Sequence, residues 1–201
     1  MGSEMCIRDS LYREPIARVG DAKRAGPWLD HCAKVYPEEH KHIVQWLAHR
    51  VQRPGEKVNH ALVLGGAPGI GKDSLLVPAR DAIGPWNCAD ISPAAMLGRF
   101  NAYLKTVLLV ISEARDLGDV DRFSFYDHSK TVMAAPPDVL RVDEKHLRET
   151  YVANVCGVVI TTNHLGDGLY LPADDRRHFV AWSPRGRDDF AADYWQGLYA
   201  W

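Results

Sequence analysis

Between Ala61 and Ser74 a short apolar run, Ala-Leu-Val-Leu, passes into Gly65-Gly66-Ala67-Pro68-Gly69-Ile70-Gly71-Lys72-Asp73-Ser74. From Gly66 to Lys72 the spacing is G-x-x-x-x-G-K, after a strand and before a helix, the setting in which such a loop cradles phosphate. Glycines let backbone N–H groups converge on phosphate oxygens, and a helix N-terminus adds partial positive charge. Lys72 would reach the β and γ phosphates as a flexible point charge. The loop from Gly66 through Ala67, Pro68, Gly69, Ile70, Gly71, Lys72, Asp73 and Ser74 is thus the expected nucleotide contact. One position departs from the pattern: Ser or Thr normally follows the lysine as a Mg2+ ligand, and here Asp73 stands there with Ser74 next. A carboxylate beside a triphosphate is repelled unless a divalent ion lies between them.

A second group of reactive side chains closes other apolar runs. Val107–Ile111 ends in Ser112-Glu113. In phosphate-loop proteins such a strand commonly ends Asp-Glu, the first carboxylate holding Mg2+ and the second polarising the attacking water. Glu113 fits the catalytic role, and Ser112 occupies the place of the metal carboxylate. The usual hydroxyl on the loop and carboxylate on the strand are exchanged here, so Asp73, Ser74 and Ser112 form the expected metal set. Gly157–Asn163 (GVVITTN) is an apolar strand tipped by an amide, and Asn163 is suited to hydrogen-bond the γ-phosphate or the attacking water. Asp174-Asp175-Arg176-Arg177 precedes a further strand. Arg176 or Arg177 could stabilise charge on a nucleotide held by a neighbouring subunit; both are equally available to pair with Asp174 and Asp175.

These groups need a scaffold. A helix is expected from Pro37 through Val51, with Ile43, Trp46, Leu47 and Val51 on one face and Pro54-Gly55 ending it. Lys72 should open a second helix, which Pro78 limits or kinks. Ser92-Pro93 starts another to about Tyr103, and Arg122–Ala134 one more, closed by Pro136-Pro137. Val139–Val142 and Tyr151–Asn154 read as a hairpin or as two irregular arms. With strands at Ala61–Leu64, Val107–Ile111, Gly157–Thr162 and His178–Trp182, the alternation predicts a three-layer α/β fold with a mostly parallel central sheet. The divisions are a helical flank over 11–60, the core over 61–185 and a helical C-terminal segment over 186–201.

At 201 residues with 46% hydrophobic and 25% charged content, one compact domain is expected. The net charge of −2 advertises no global basic field, though a groove needs only a local cluster. Cys6, Cys32, Cys88 and Cys156 are scattered without metal-ligand spacing, which reads as reduced thiols in the cytoplasm. No apolar run approaches the roughly 20 residues that span a bilayer. Met1–Ser10 (MGSEMCIRDS) lacks any periodicity continuing into the domain and reads as an artefactual leader. The stop at Trp201, inside an aromatic-rich stretch, reads as that of a fragment.

Taken in order, GGAPGIGKDS, LLVISEARD and VVITTN, followed by DDRR, resemble the superfamily 3 helicase domain. The similarity is greatest to the phage and plasmid primase-helicase group, whose loop commonly reads GKD followed by Ser or Thr. PPDVLRVDEKHLRETYVANVCGVVITTNH also resembles that group, and the likeness runs from about Trp28 to Trp201. It implies an AAA+-like P-loop NTPase that binds ATP and Mg2+, forms a hexameric homo-oligomer and moves on single-stranded DNA in phage or plasmid replication. It also implies a DNA-contacting hairpin between Glu113 and Asn163, where Lys130, Arg141, Lys145, His146 and Arg148 stand. Such residues could grip successive phosphates without reading sequence; a solvated face balanced by Asp143, Glu144 and Glu149 is the other reading. An AAA+-like loader or switch, which uses ATP to change partner binding without unwinding, is the functional alternative.

Overall fold

The computed structural model describes residues 12–16, 20–112, 118–164 and 169–201, the side chains of 118–121 excepted. Helices α1 (Gly26–Val35) and α2 (His40–Gln52) lead into β1 (Ala61–Gly65), and α3 (Lys72–Ile83) follows the glycine loop. Then come β2 (Cys88–Ile91), a single turn α4 (Pro93–Met96), β3 (Leu108–Ile111) and α5 (Gly118–Met133). Strands β4 (Val139–Val142) and β5 (Thr150–Ala153) precede β6 (Gly157–Thr162), β7 (His178–Trp182) and the short α6 (Tyr194–Tyr199).

Five strands form a wholly parallel sheet in the order β2-β3-β6-β1-β7. The three-layer α/β expectation therefore holds. Alternate side chains explain the layers, because successive residues of a strand point to opposite faces. Leu62, Leu64, Leu108, Val110 and Val159 meet Ile43, Leu47, Leu75 and Leu76 of α2 and α3 on one face. Ala61, Val63, Leu109, Ile111, Val158 and Ile160 meet Phe125, Val132 and Met133 of α5 on the other, together with Leu140 and Val142 of β4. Strands covered on both faces read as unbroken apolar runs, which is how β1, β3 and β6 look in the sequence.

Local departures from expectation have tertiary causes. The helix expected from Ser92-Pro93 to Tyr103 stops at Met96, and a 3-10 turn takes up Ala102–Lys105. Asn101 between them is held by the β4–β5 unit: its amide Oδ1 accepts from Asp143 N at 2.7 Å and its Nδ2 donates to Arg141 O at 3.0 Å. Pro37 opens a turn, and the helix starts at His40, whose N–H donates to Tyr36 O at 2.9 Å. Strands β4 and β5 pair antiparallel as a separate two-stranded unit, resolving the choice between hairpin and irregular arms. Pro78 is accommodated inside α3, which continues to Ile83. The edge strand β2 and the ten-residue α1 had no distinct sequence signal. Among the described residues no helix is long and apolar enough to cross a membrane. Cys32, Cys88 and Cys156 are free thiols.

The buried base of the sheet explains one glycine. Arg50 is fully buried, and its guanidinium donates to the carbonyls of Pro54 (2.9 Å) and Glu56, closing the C-terminal end of α2. A Cβ on Gly157 would lie 2.8 Å from Arg50 Cδ and 2.9 Å from Trp46 Cη2. The guanidinium is pinned by those carbonyls and the indole by the bond from Trp46 Nε1 to His60 O at 3.2 Å, so neither neighbour swings away freely. Gly157→Ala should therefore cost about 1–3 kcal/mol by overpacking, read as a lowered urea midpoint with unchanged slope.

Candidate nucleotide site

All five parallel strands end at one edge of the sheet, the general ligand-binding edge of open α/β folds. The loop after β1 is bent by three glycines with positive φ: Gly66 at 145°, Gly69 at 79° and Gly71 at 86°. Side chains would be strained at each. Gly71 also faces a close approach, since a Cβ there would lie 2.6 Å from His31 Cε1 and 2.8 Å from Trp195 Cη2. Gly66 N–H donates to Thr162 O at 3.3 Å, and Tyr36 OH donates to Gly65 O at 3.2 Å, tying the loop's start to β6 and α1.

Lys72 opens α3 and is buried. Its ammonium donates to Gly66 O (2.8 Å), Ala67 O (2.9 Å) and Asn163 Oδ1 (2.6 Å), so all three N–H donors have acceptors. Burial lowers its pKa, with the nearby charge of Asp73 working in the opposite direction. Asn163 reaches this position because β6 lies between β1 and β3. His164 N–H donates to Thr162 Oγ1 at 3.2 Å, turning the chain sharply at the strand tip.

His31 supports the loop from below. Gly71 O can only accept, so His31 Nε2 donates to it (3.0 Å), and Nδ1 accepts from Tyr194 OH at 2.8 Å. That pattern needs a neutral ring, and burial lowers the His31 pKa accordingly, with Lys34 adding to the effect and the Gly71 bond opposing it.

A cavity of about 700 Å3 lies against this loop. Pro68, Gly69, Gly71, Lys72, Asp73 and Ser74 line it from the loop and α3, and Ser112, Thr161, Thr162 and Asn163 from the tips of β3 and β6. Asp73 is exposed, and Ser112 lies one residue beyond the Ile111–Ile160 pair. Asp73, Ser74 and Ser112 thus share a cavity with Lys72, and this donor set of one carboxylate and two hydroxyls suits a hard divalent cation. Gly66, Ala67 and Ile70 shape the loop behind that surface; Ile70 is fully buried. Glu113 lies outside the described residues.

Sequence reasoning assigned no site role to five other lining residues: Asp90, Ile91, Ser92, Trp195 and Tyr199. Asp90 is the penultimate residue of the unrecognised strand β2 and is held by both terminal guanidinium nitrogens of Arg80. The aromatic pair comes from α6, over a hundred residues downstream of the loop.

Arg176 and Arg177 stand at the opposite end of the sheet. Arg177 O accepts from Ala61 N–H at 2.8 Å, at the start of β1; the strand's rise puts roughly 13 Å between that point and the glycine loop. Asp175 does not pair with them. Its carboxylate accepts from Tyr126 OH (2.9 Å), His178 Nδ1 (2.8 Å) and the N–H groups of Arg177 and His178. Burial would raise the Asp175 pKa, but these bonds outweigh it and the pKa is lowered; burial lowers that of His178 against the pull of Asp175. Among the described residues neither arginine forms an ion pair, and both line a second cavity of about 610 Å3 with Lys130 and Asn59.

The expected DNA contacts are therefore divided. Lys130 joins the arginine cavity and pairs with Asp127 at 2.6 Å. Arg141, Lys145 and Arg148 belong to the β4–β5 unit, where Arg141 pairs with Glu149 at 2.7 Å. Exposed pairs of this kind are worth about 0–1 kcal/mol and yield readily to another anion.

The sequence matches a family of unknown function, DUF5906, over residues 64–177, which is more than half of the chain. The chain belongs to that family. The matched stretch runs from β1 to the arginine pair and stops short of α6. No curated protein matches the sequence. Among solved structures, the apo form of the NrS-1 C-terminal region is similar, with a TM-score of 0.73 and 17% identity over 93% of this chain and 44% of that one. An A form of the same region gives a TM-score of 0.68 and 16% identity, covering 93% and 43%. At this identity the likeness concerns the fold, and the chain spans less than half the length of those structures.

His31 under the glycine loop and His178 at the opposite end of the sheet give the fold a pH signature. Both have pKa values lowered from 6.5, so on acidification the unfolded chain takes up protons that the fold refuses. Their stabilisation is complete above about pH 6.5 and is lost as pH falls towards the folded values. Urea midpoints should drop between about pH 7.5 and pH 5.5, and His31→Gln should flatten that dependence.

Proposed function

We propose that this chain is the ATPase module of a phage or plasmid primase-helicase, using ATP hydrolysis to move on single-stranded DNA. The observation that carries the reading is the meeting of Lys72 and Asn163 at 2.6 Å above a loop of three positive-φ glycines. A buried cation bonded to the amide of the neighbouring strand is placed to hold a terminal phosphate between loop and strand tip. Loop N–H groups and the start of α3 would hold the phosphate chain. Asp73, Ser74 and Ser112 would hold Mg2+, which when bound neutralises phosphate charge. Lys72 would exchange loop carbonyls for phosphate oxygens, and Asn163 would orient the attacking water or the γ-phosphate. Glu113 is assigned the role of general base by sequence alone.

The arginine pair suits action in trans. Arg176 and Arg177 are remote from the loop of their own chain and lack ion pairs among the described residues, while the Tyr126–Asp175–His178 network fixes the backbone that presents them. A ring that sets this edge against a neighbour's nucleotide, as in a hexamer, would use them to stabilise developing charge. Lys145 and Arg148 on the β4–β5 unit, with Arg141 and Lys130, are assigned to DNA phosphates.

Lys72→Ala should weaken ATP binding by about 10- to 100-fold, the loss expected for charge-assisted hydrogen bonds, measured by titration calorimetry. The metal exchange is tested by Asp73→Thr and Ser112→Asp, singly and together. The double variant should recover ATPase activity relative to the worse single variant, and a double no better than that single rejects the exchange. Single-stranded DNA should stimulate the ATPase, and Lys145→Ala with Arg148→Ala should reduce the stimulation. An ATPase indifferent to DNA would reject movement on DNA, and strand displacement by the full-length protein separates this reading from the loader.

A further inference from the structure

The polar lining of the main cavity accounts for a triphosphate and leaves one wall without a partner. Among the described residues Trp195 and Tyr199 are its only aromatic lining. Both touch the phosphate loop: Trp195 Cη2 lies 2.8 Å from a Cβ placed on Gly71, and Tyr199 OH is 2.7 Å from Ser74 Oγ. They are also preorganised. Trp195 stacks on the buried Phe190 with centroids 5.1 Å apart at 30°, and on Tyr199 at 6.1 Å and 26°. Lys34 lies over the Phe190 and Tyr194 rings at 4.7 and 4.3 Å, fixing the rear of the cluster. Yet Tyr199 remains 68% exposed.

We infer that Trp195 and Tyr199 are the base-recognition wall of the nucleotide site, taking a purine by ring stacking while the glycine loop holds the phosphates. The inference rests on the reading of the cavity as a nucleotide site and extends it to the choice of nucleotide. Phosphates at the start of α3 leave the sugar and base to emerge past Ser74, where Tyr199 stands. Base–aromatic stacking uses the face of the base and tolerates changes at its edge. The larger purine ring should therefore be preferred over a pyrimidine, with adenine and guanine treated nearly alike. Because the wall lies outside the family-matched stretch of 64–177, base preference should be carried by the C-terminal segment and phosphate binding by the shared core.

The experiment compares Mg2+ complexes of ATP, CTP and inorganic tripolyphosphate on the full chain by titration calorimetry. Trp195→Ala should weaken ATP about tenfold, as expected for the loss of one stack, and remove the preference for ATP over CTP. Tripolyphosphate should bind within about twofold of the parent, which also reports that the loop is intact. Trp195→Phe should retain ATP binding, and Tyr199→Phe, which keeps the ring, should retain purine preference. Unchanged ATP affinity in Trp195→Ala overturns the inference, as does an equal loss of tripolyphosphate, which would make Trp195 a prop for Gly71. A parent chain that binds tripolyphosphate but shows no purine preference overturns the stack alone. One that binds neither ATP nor tripolyphosphate overturns the nucleotide reading with it.

Discussion

A buried ammonium has to be supplied with acceptors, and the edge of the sheet is organised around that requirement. Lys72 loses most of its contact with water and recovers it through Gly66 O, Ala67 O and Asn163 Oδ1. Two of those acceptors exist only because the glycine loop turns its carbonyls inward, and the third because β6 lies beside β1. Leaving such a group unpaired would cost several kcal/mol in place of the modest net gain of satisfying it. Loop shape, strand order and the identity of residue 163 are thus coupled through one side chain.

The loop also leans on the rest of the molecule. His31 beneath Gly71 and Tyr36 on Gly65 join α1 to the phosphate-binding turn, and Tyr194, bonded to His31 Nδ1, brings in the C-terminal segment. Ser183 Oγ and Arg185 Nε donate to Val35 O and Lys34 O, closing the C-terminal end of α1 with groups from beyond β7. The loop is therefore braced from chain segments about 40 residues before it and more than 100 after it.

Much of this was legible from local pattern. Strands β1, β3 and β6 have unbroken apolar runs because both faces are covered, and the glycine spacing announces the loop, since side chains are strained at those backbone angles. What escaped has few local marks. Strand β2 is four residues of mixed character whose Asp90 gains meaning only beside Arg80. The Ser92 helix stops early because Asn101 is captured by the β4–β5 unit, a contact between residues about 40 apart. Asp175 looked like a partner for the arginines next to it, yet geometry gives it to Tyr126 and His178. Trp195 and Tyr199 read as an aromatic tail until the fold brings them to the loop.

The strand order has a consequence for how the chain must come together. Strand β1 sits inside the sheet, but both of its neighbours lie about a hundred residues further along, at Gly157–Thr162 and His178–Trp182. A growing chain therefore emerges from the ribosome with a fully apolar strand unpaired along both edges, and only β2 and β3 can join each other early. Long-range parallel pairing of this kind is slow and leaves sticky edges exposed while it waits. The three helices that flank β1 are all made before its partners, and they can shelter one face of it until β6 arrives.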